Sequence, residues 1–291
     1  MAGEEEKDLL PCCGIFPFKV GIPPIIFVID HRYSYYNCAG IYMKDGIHLE
    51  KFEFLFDKKT TSIELDGVDL ADPNCWIKIN PGLTGFYRVH YSEQLFHRLF
   101  DNLSNVNLTC IDRMGLFDDQ VAMVQTETGS TVRLLQMAKH FSKYERSYTV
   151  WRAVISILHL IRSLTWENDQ GTADKIDSFC ISILKPFLDE LGLHGSSQEP
   201  NSDKQCRSAL FGYLATLGET EVQRAAMQMF QKHTEGTQLI GVGMKDAVYK
   251  AVMTGASTRQ TFNQMKTLYR NAELAEEKNR ILHAIGKSPL L

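Results

Sequence analysis

The sequence has no surplus of basic charge, no apolar run long enough to cross a bilayer and no cysteine pair at metal-ligand spacing. Its 31 Lys+Arg stand against 35 Asp+Glu, a formal charge of −4. Without an Arg/Lys block, nothing offers the phosphate neutralisation that dominates nucleic-acid binding, so that class of partner is not expected. The most apolar stretch near the N-terminus, Ile15 to Ile29, is interrupted by Pro17, Lys19, Gly21, Pro23 and Pro24 and is too short for a membrane span. The opening Met1-Ala2-Gly3-Glu4-Glu5-Glu6 carries acids where a secretory signal carries positive charge, which disfavours export and points to a cytoplasmic location. Seven cysteines, at 12, 13, 38, 75, 110, 180 and 206, are odd in number and form no C-x-x-C pair. Free thiols in a reducing compartment are the economical reading. Cys12-Cys13 would be half of a metal site only with a second cluster, and none follows at ligand spacing. Asn-x-Ser/Thr triplets at Asn102 and Asn107 are frequent by chance and weigh little.

Catalytic signatures are missing in the same way. None of the nine histidines has a second His four residues on, the economical way to give a helix two metal ligands. His48-Leu49-Glu50 and the segment His140 to Glu145 each bring one His near acids and are read as solvated. Gly241-Val242-Gly243 lacks the third glycine and the flanking strand of a phosphate loop, and no G-x-S-x-G elbow occurs. Cys/His pairs that meet only in space stay open, so an enzyme acting through unrecognised residues is a third possibility. No catalytic, metal or cofactor residue is assigned.

What is present is an ordinary globular composition, 44% apolar and 23% charged over 291 residues, enough for about two domains. From about Pro23 to Tyr91 the apolar period is two. Phe52, Phe54 and Phe56 alternate with Lys51, Glu53 and Asp57, a half-buried strand. Strands are also expected over Thr60 to Leu65, at Ile77 and Ile79, and after the turn cluster Pro81-Gly82-Leu83-Thr84-Gly85. In that last strand Tyr87, Val89 and Tyr91 share one face and Phe86, Arg88 and His90 the other, and both faces are expected to be covered.

Beyond Asn102 the spacing becomes three and four. One helix is expected to bury Met114, Phe117, Val121 and Val124, with Asp112 in its first turn. Others are expected over Ser130 to Lys143, Tyr148 to Glu167, Thr172 to Leu191, Asp203 to Leu217, Glu219 to Gln231, Met244 to Met253, Thr258 to Tyr269 and Leu274 to Ile285. The apolar stripe of the Tyr148 helix is broad enough to call for cover on more than one side. Pro186 should kink or divide its helix. Gly192 to Ser202 reads as an exposed loop. The fold class is therefore mixed and mainly α. A small β-sandwich over 1–98, atypical in 1–50, precedes a HEAT-like superhelical domain over 104–291, inferred from the helix-pair rhythm because no fixed-period repeat is visible. Arg152, Ser156, His159 and Ser163, with Arg162 beside them, make a narrow polar and cationic stripe on the Tyr148 helix. It is either a solvated edge or, on a concave face, a surface for peptide carboxylates.

Several segments resemble the gluzincin zinc aminopeptidases. The matching runs are Trp76-Ile77-Lys78-Ile79-Asn80, Gly85-Phe86-Tyr87-Arg88-Val89-His90-Tyr91 and Ile111-Asp112-Arg113-Met114-Gly115-Leu116-Phe117-Asp118-Asp119. Tyr148-Thr149-Val150-Trp151, Lys185-Pro186, Leu191-Gly192-Leu193 and Ala275 to Ile281 continue in the same order. The resemblance implies an enzyme that removes N-terminal residues from peptides with a zinc held by H-E-x-x-H, elements that precede the sandwich and are not in this sequence. It implies that this chain is the non-catalytic C-terminal portion, its helical domain enclosing the peptide cavity. It also implies that Tyr87, Arg88, Tyr91, Asp112 and Arg113 serve interdomain packing and ion pairing. The alternative is a stand-alone helical-repeat interaction module. Residues 1 to about 50 match the family's sandwich poorly, and the family's helical domain would continue past Leu291. An open apolar end at Leu274, Ile281, Leu282 and Ile285 is therefore expected, suited to self-association or to binding an aminopeptidase catalytic domain.

Overall fold

The computed structural model describes residues 17–20, 25–28, 36–43, 48–56, 60–63, 65, 72–166, 170–196, 198–255 and 257–290. The chain divides into two compact units, Met1–Met137 and Ala138–Leu291. Cys12 and Cys13 lie outside the described residues.

The first unit holds two small sheets. β1 (Pro17–Val20), β2 (Ile25–Val28), β5 (Thr60–Ile63) and β7 (Arg88–Tyr91) form one, in the order β5-β2-β1-β7. β3 (Tyr36–Met43), β4 (Leu49–Phe56) and β6 (Trp76–Ile79) form the other, in the order β4-β3-β6. Pairing is antiparallel except between β1 and β7. In β4 the expected alternation holds, with Lys51 and Glu53 exposed and Phe52 and Phe54 half-buried and stacked at 6.1 Å. In β6 it does not, because all four residues of Trp76–Ile79 are buried, Lys78 among them. β6 is an edge strand, and its outward amide and carbonyl at Ile79 are both met by the Tyr91 hydroxyl, which accepts from the amide at 2.9 Å and donates to the carbonyl at 3.4 Å. Tyr91 thus ties β7 of one sheet to β6 of the other.

Helix α1 (Glu93–Asp101) was not foreseen, although its signal is present: the Ser92 hydroxyl accepts from the Leu95 amide as N-cap, and Leu95, Phe96 and Leu99 are buried at helical spacing. Helix α2 (Cys110–Gln125) starts at a capping box made by Thr109 and Asp112. Its buried face is rotated from the expected one. Phe117 is inside, but Met114, Val121 and Val124 are only half-buried, while Asp112, Asp119 and Gln120 point inward with Leu116 and Met123. Apolar periodicity assumes that acids face water, and here they meet buried cations and backbone instead. Phe86 also departs from expectation: it is 90% exposed, while Arg88 and His90 are half-buried. Helix α3 (Thr131–Phe141) contains the point of division between the units.

The second unit is helical throughout its described elements: α4 (Tyr148–Trp166), α5 (Gln170–Leu191), α6 (Asn201–Thr216), α7 (Thr220–Thr234), α8 (Val242–Gly255), α9 (Arg259–Asn271) and α10 (Ala275–Ile285). α4, α6, α8 and α10 touch in succession as one row, and α5, α7 and α9 lie against it, each between two members. This is the stacked-pair arrangement of helical repeats. α4 buries Val150, Trp151, Val154 and Leu158 but leaves Leu160 and Leu164 43% and 61% exposed, so cover on more than one side is lacking toward its C-terminus. α5 runs through Pro186 as one helix. Proline removes a single backbone hydrogen bond, whereas Ile183, Leu184, Phe187 and Leu188 are all buried around it, and that burial outweighs the loss. In α10, Ile281 is buried against its own chain and Ile285 is half-buried, so of the open apolar end expected there only Leu274 and Leu282 are exposed.

Candidate functional site

In the first unit the residues expected at a junction gather around α2. Asp112 does three things from one carboxylate: it accepts from the Thr109 amide at 3.0 Å and hydroxyl at 2.6 Å, and from the Gly82 amide at 2.7 Å. It therefore clamps the 3-10 turn Pro81–Leu83 to the helix start. Gly115 lets the Leu83 side chain approach α2, since a Cβ there would collide with it. Asn80, buried and at φ 57°, holds the turn from the other side by donating to Gly85 O at 2.9 Å and accepting from its amide at 2.7 Å. Arg113 donates to Leu108 O at 2.6 Å. Tyr87 is buried with Val89 and Tyr91.

Behind them lies a charged cluster that pattern reading missed. The Lys78 ammonium is buried and donates to Ile79 O and, at 3.2 Å, to Asn80 O. Burial pulls it below the ordinary lysine range, against the opposing charges of Asp119 and Asp112. Asp119 is also buried, 3.7 Å from Arg88. Burial raises its carboxyl to about 7, although Lys78, Arg88 and the Val89 amide all favour its ionised form. Burial, followed by the nearby Asp119 charge, pushes the Tyr91 phenol well above its ordinary value. Asp118 is raised by burial and held back by Arg88. The only sequence hint was the lysine inside the apolar run Trp76–Ile79.

Two cavities lie among the described residues of the second unit. One, of about 610 Å³, runs along the outer face of the α4–α6–α8 row, with Tyr148, Ile155 and His159 from α4, Ser208 and Tyr213 from α6, and Asp246 and Lys250 from α8. His159 is exposed and meets Tyr213 edge-on at 6.0 Å. Asp246 and Lys250 pair at 2.8 Å. The cationic stripe is only partly assembled. Arg152 is exposed, but Arg162 is held by Asp177 of α5 through bonds of 2.6 and 2.9 Å, which raise its pKa further. It is an inter-helix tie.

The other cavity, of about 520 Å³, lies between the α5–α6 loop and the α7–α8 loop. The first loop is fixed by Arg207, buried on α6, whose guanidinium donates to Leu191 O at 2.9 Å, Gly192 O at 2.8 Å and both oxygens of Glu199 at 2.5 Å. This bond from Arg207 holds the Glu199 carboxyl below the usual range. Gly195 permits the approach, because a Cβ there would collide with both partners.

Among the described residues, the acids and thiols near candidate histidines have structural surroundings. Glu145, read as solvated, is buried, and its carboxylate accepts from the amides of Arg146 at 2.9 Å and Ser147 at 2.8 Å before α4. His48 and Glu50 are exposed. Cys110, Cys180 and Cys206 are free thiols, and burial lifts Cys180 and Cys206 to about 11, far from a reactive thiolate. A Glu277 carboxylate on α10 binds Lys245 and Tyr249 of α8 at 3.0 Å each, with His233 3.0 Å from the Tyr249 hydroxyl. This network fastens the end of the row. Among the described residues, no group of three or more His, Cys, Asp or Glu could hold a metal ion, so they give a zinc ion no donor set. Among them too, no helix is long and apolar enough to cross a membrane.

Residues 76–290 match the family model of the ERAP1-like C-terminal domain. Aminopeptidase M1 of Arabidopsis thaliana is 29% identical over 266 residues, 87% of this chain and 30% of that protein. Aminopeptidase M1-A of Oryza sativa subsp. japonica is 31% identical over 244 residues, 81% of this chain and 28% of that protein. Glutamyl aminopeptidase of Bos taurus is 28% identical over 215 residues, 73% of this chain and 22% of that protein. The chain spans less than a third of the length of each of these relatives. The match begins at Trp76, the first residue of β6, and takes in the Asp112 clamp, the buried Lys78–Asp119 cluster and every helix from α1 to α10; the chain belongs to the ERAP1-like C-terminal domain family.

Proposed function

We propose that this chain is the non-catalytic C-terminal portion of a zinc-dependent aminopeptidase that removes N-terminal residues from peptides. Its helical unit walls the peptide cavity, with the groove on the α4–α6–α8 row turned toward the peptide. The observation that carries this reading is the family match over 76–290 combined with relatives named aminopeptidases. The groove adds support. It combines an aromatic patch, Tyr148 and Tyr213, with His159 and Lys287, surfaces that suit both the side chains and the carboxylates of a peptide. The hydrolytic centre belongs to the parent enzyme, and the zinc with it.

Two measurements test the reading. Purified chain should take up no stoichiometric zinc and release no product from fluorogenic aminoacyl substrates, and metal-dependent turnover after removal of host peptidases would refute it. A peptide carrying a photoreactive phenylalanine should cross-link to the groove face at positions such as His159, Ser208 and Thr254. Labelling confined to α5, α7 and α9 would instead favour a helical-repeat interaction module working through its other layer.

A further inference from the structure

The cavity between the α5–α6 and α7–α8 loops is built unlike the groove on the α4–α6–α8 row. Its apolar lining is Leu193, Met229, Leu239, Ile240 and Met244. Ile240 is buried, but its neighbour Leu239 is 76% exposed and has no apolar cover of its own. The loop that presents them is set by the end of α7, where Gly236, at φ 75°, turns the chain and the Thr237 and Gln238 amides return to Lys232 O at 3.0 and 3.2 Å. Leu239 is therefore displayed by a defined backbone.

The lining also carries two ammonium groups outside any ion pair among the described residues. Lys204 of α6 and Lys232 of α7 both line the cavity. Lys232 reaches only the Gln238 side-chain oxygen, at 3.4 Å. Among the described residues neither ammonium has a carboxylate within ion-pair distance. Glu199, the acid in the lining, is committed through both oxygens to Arg207 and reaches Lys204 only through its charge at longer range. A cavity of about 520 Å³ is within the size range of small-molecule sites, which pair an apolar body with a few placed polar groups.

We propose that this cavity binds a small carboxylate with an aliphatic body, the hydrocarbon lying against Leu239, Met229 and Met244 and the carboxylate meeting Lys204 and Lys232. The inference goes beyond the aminopeptidase reading and does not depend on it, although Lys204 and Gly243 line the groove on the α4–α6–α8 row as well as this cavity. Neither half of the chemistry suffices alone. Partly exposed ammonium–carboxylate pairs contribute little each, and an aliphatic chain without charge leaves both ammonium groups unpaired.

Octanoate is the probe, with octanol lacking the charge and acetate lacking the body. The full chain, labelled at its methionine methyls with carbon-13, is titrated by NMR. Octanoate should shift the Met229 and Met244 methyls saturably and bind more tightly than either control. In Lys204→Ala/Lys232→Ala its affinity should fall about tenfold, to near that of octanol, whose binding should be unchanged. Leu239→Glu, at an exposed position that leaves the fold intact, should abolish octanoate binding. Equal affinity of the unmodified chain for octanoate and octanol would overturn the proposal. So would Met229 and Met244 methyls that stay in place at saturation, or full octanoate affinity in the double variant.

Discussion

Asp119→Asn is the substitution that most directly interrogates the buried cluster of the first unit. The Asp119 carboxyl sits near pH 7 in the folded chain and near 3.8 when unfolded, so the native state holds its proton more tightly. A group of this kind contributes stability that is fully present below the unfolded value and is lost as pH rises through the folded one. The difference of about 3 units corresponds to roughly 4 kcal/mol lost between about pH 4 and pH 7. Lys78 acts with the opposite sign. Its folded pKa is lowered, so stability is lost as pH falls through that folded value and is regained only above the ordinary lysine range. Its contribution therefore runs against that of Asp119, and the comparison of wild type with an Asp119 variant that keeps Lys78 isolates the carboxyl. Asparagine is nearly isosteric and does not titrate, so the variant should lose a slope of up to about 1.4 kcal/mol per pH unit across that window. Urea denaturation at pH 4.5, 6 and 8 supplies the slope. Hydrogen exchange at the Val89 and Leu116 amides, corrected for its intrinsic pH dependence, assigns the effect to the first unit. Equal slopes for wild type and variant would refute the linkage, and a carbon-13 titration of Asp119 with a midpoint near 4 would refute its cause.

Tyr91→Phe should cost about 1–2 kcal/mol, because the Ile79 amide loses its bond at a buried edge, and urea midpoints will show it. Arg207→Ala strips Leu191 O, Gly192 O and both Glu199 oxygens of their donor and should destabilise the second unit by about 3 kcal/mol, with increased proteolysis in the 192–200 loop. An unchanged midpoint and no new cleavage would show that the loop is held by other means. Ile281→Glu should unfold the end of the second unit, since it places a charge in the core, whereas Leu282→Glu at a 48% exposed site should be nearly neutral; the pair separates burial within the chain from an open sticky surface.

What the sequence determined by itself was the order and type of most elements. Period-two runs placed β4 through β7, and period-3.6 runs placed α2 to α10 to within a few residues, because both rest on local geometry and on which face is apolar. The ordered matches from Trp76 to Ile281 fixed the family for the same reason, being written in the chain. The tertiary structure decided where charge goes. Asp119 looks like part of a solvated edge of α2 until Lys78 and Arg88 arrive from two strands of different sheets, and Glu145 looks solvated until it is seen before α4. Arg162 looks like part of a binding stripe until Asp177 approaches from the next helix, and Arg207 carries no sequence signal at all that it will close a loop. Pairing partners that lie 15 to 44 residues apart, as Arg162 and Asp177 or Arg146 and Glu190 do, are chosen by how elements stack, and no local pattern encodes that choice.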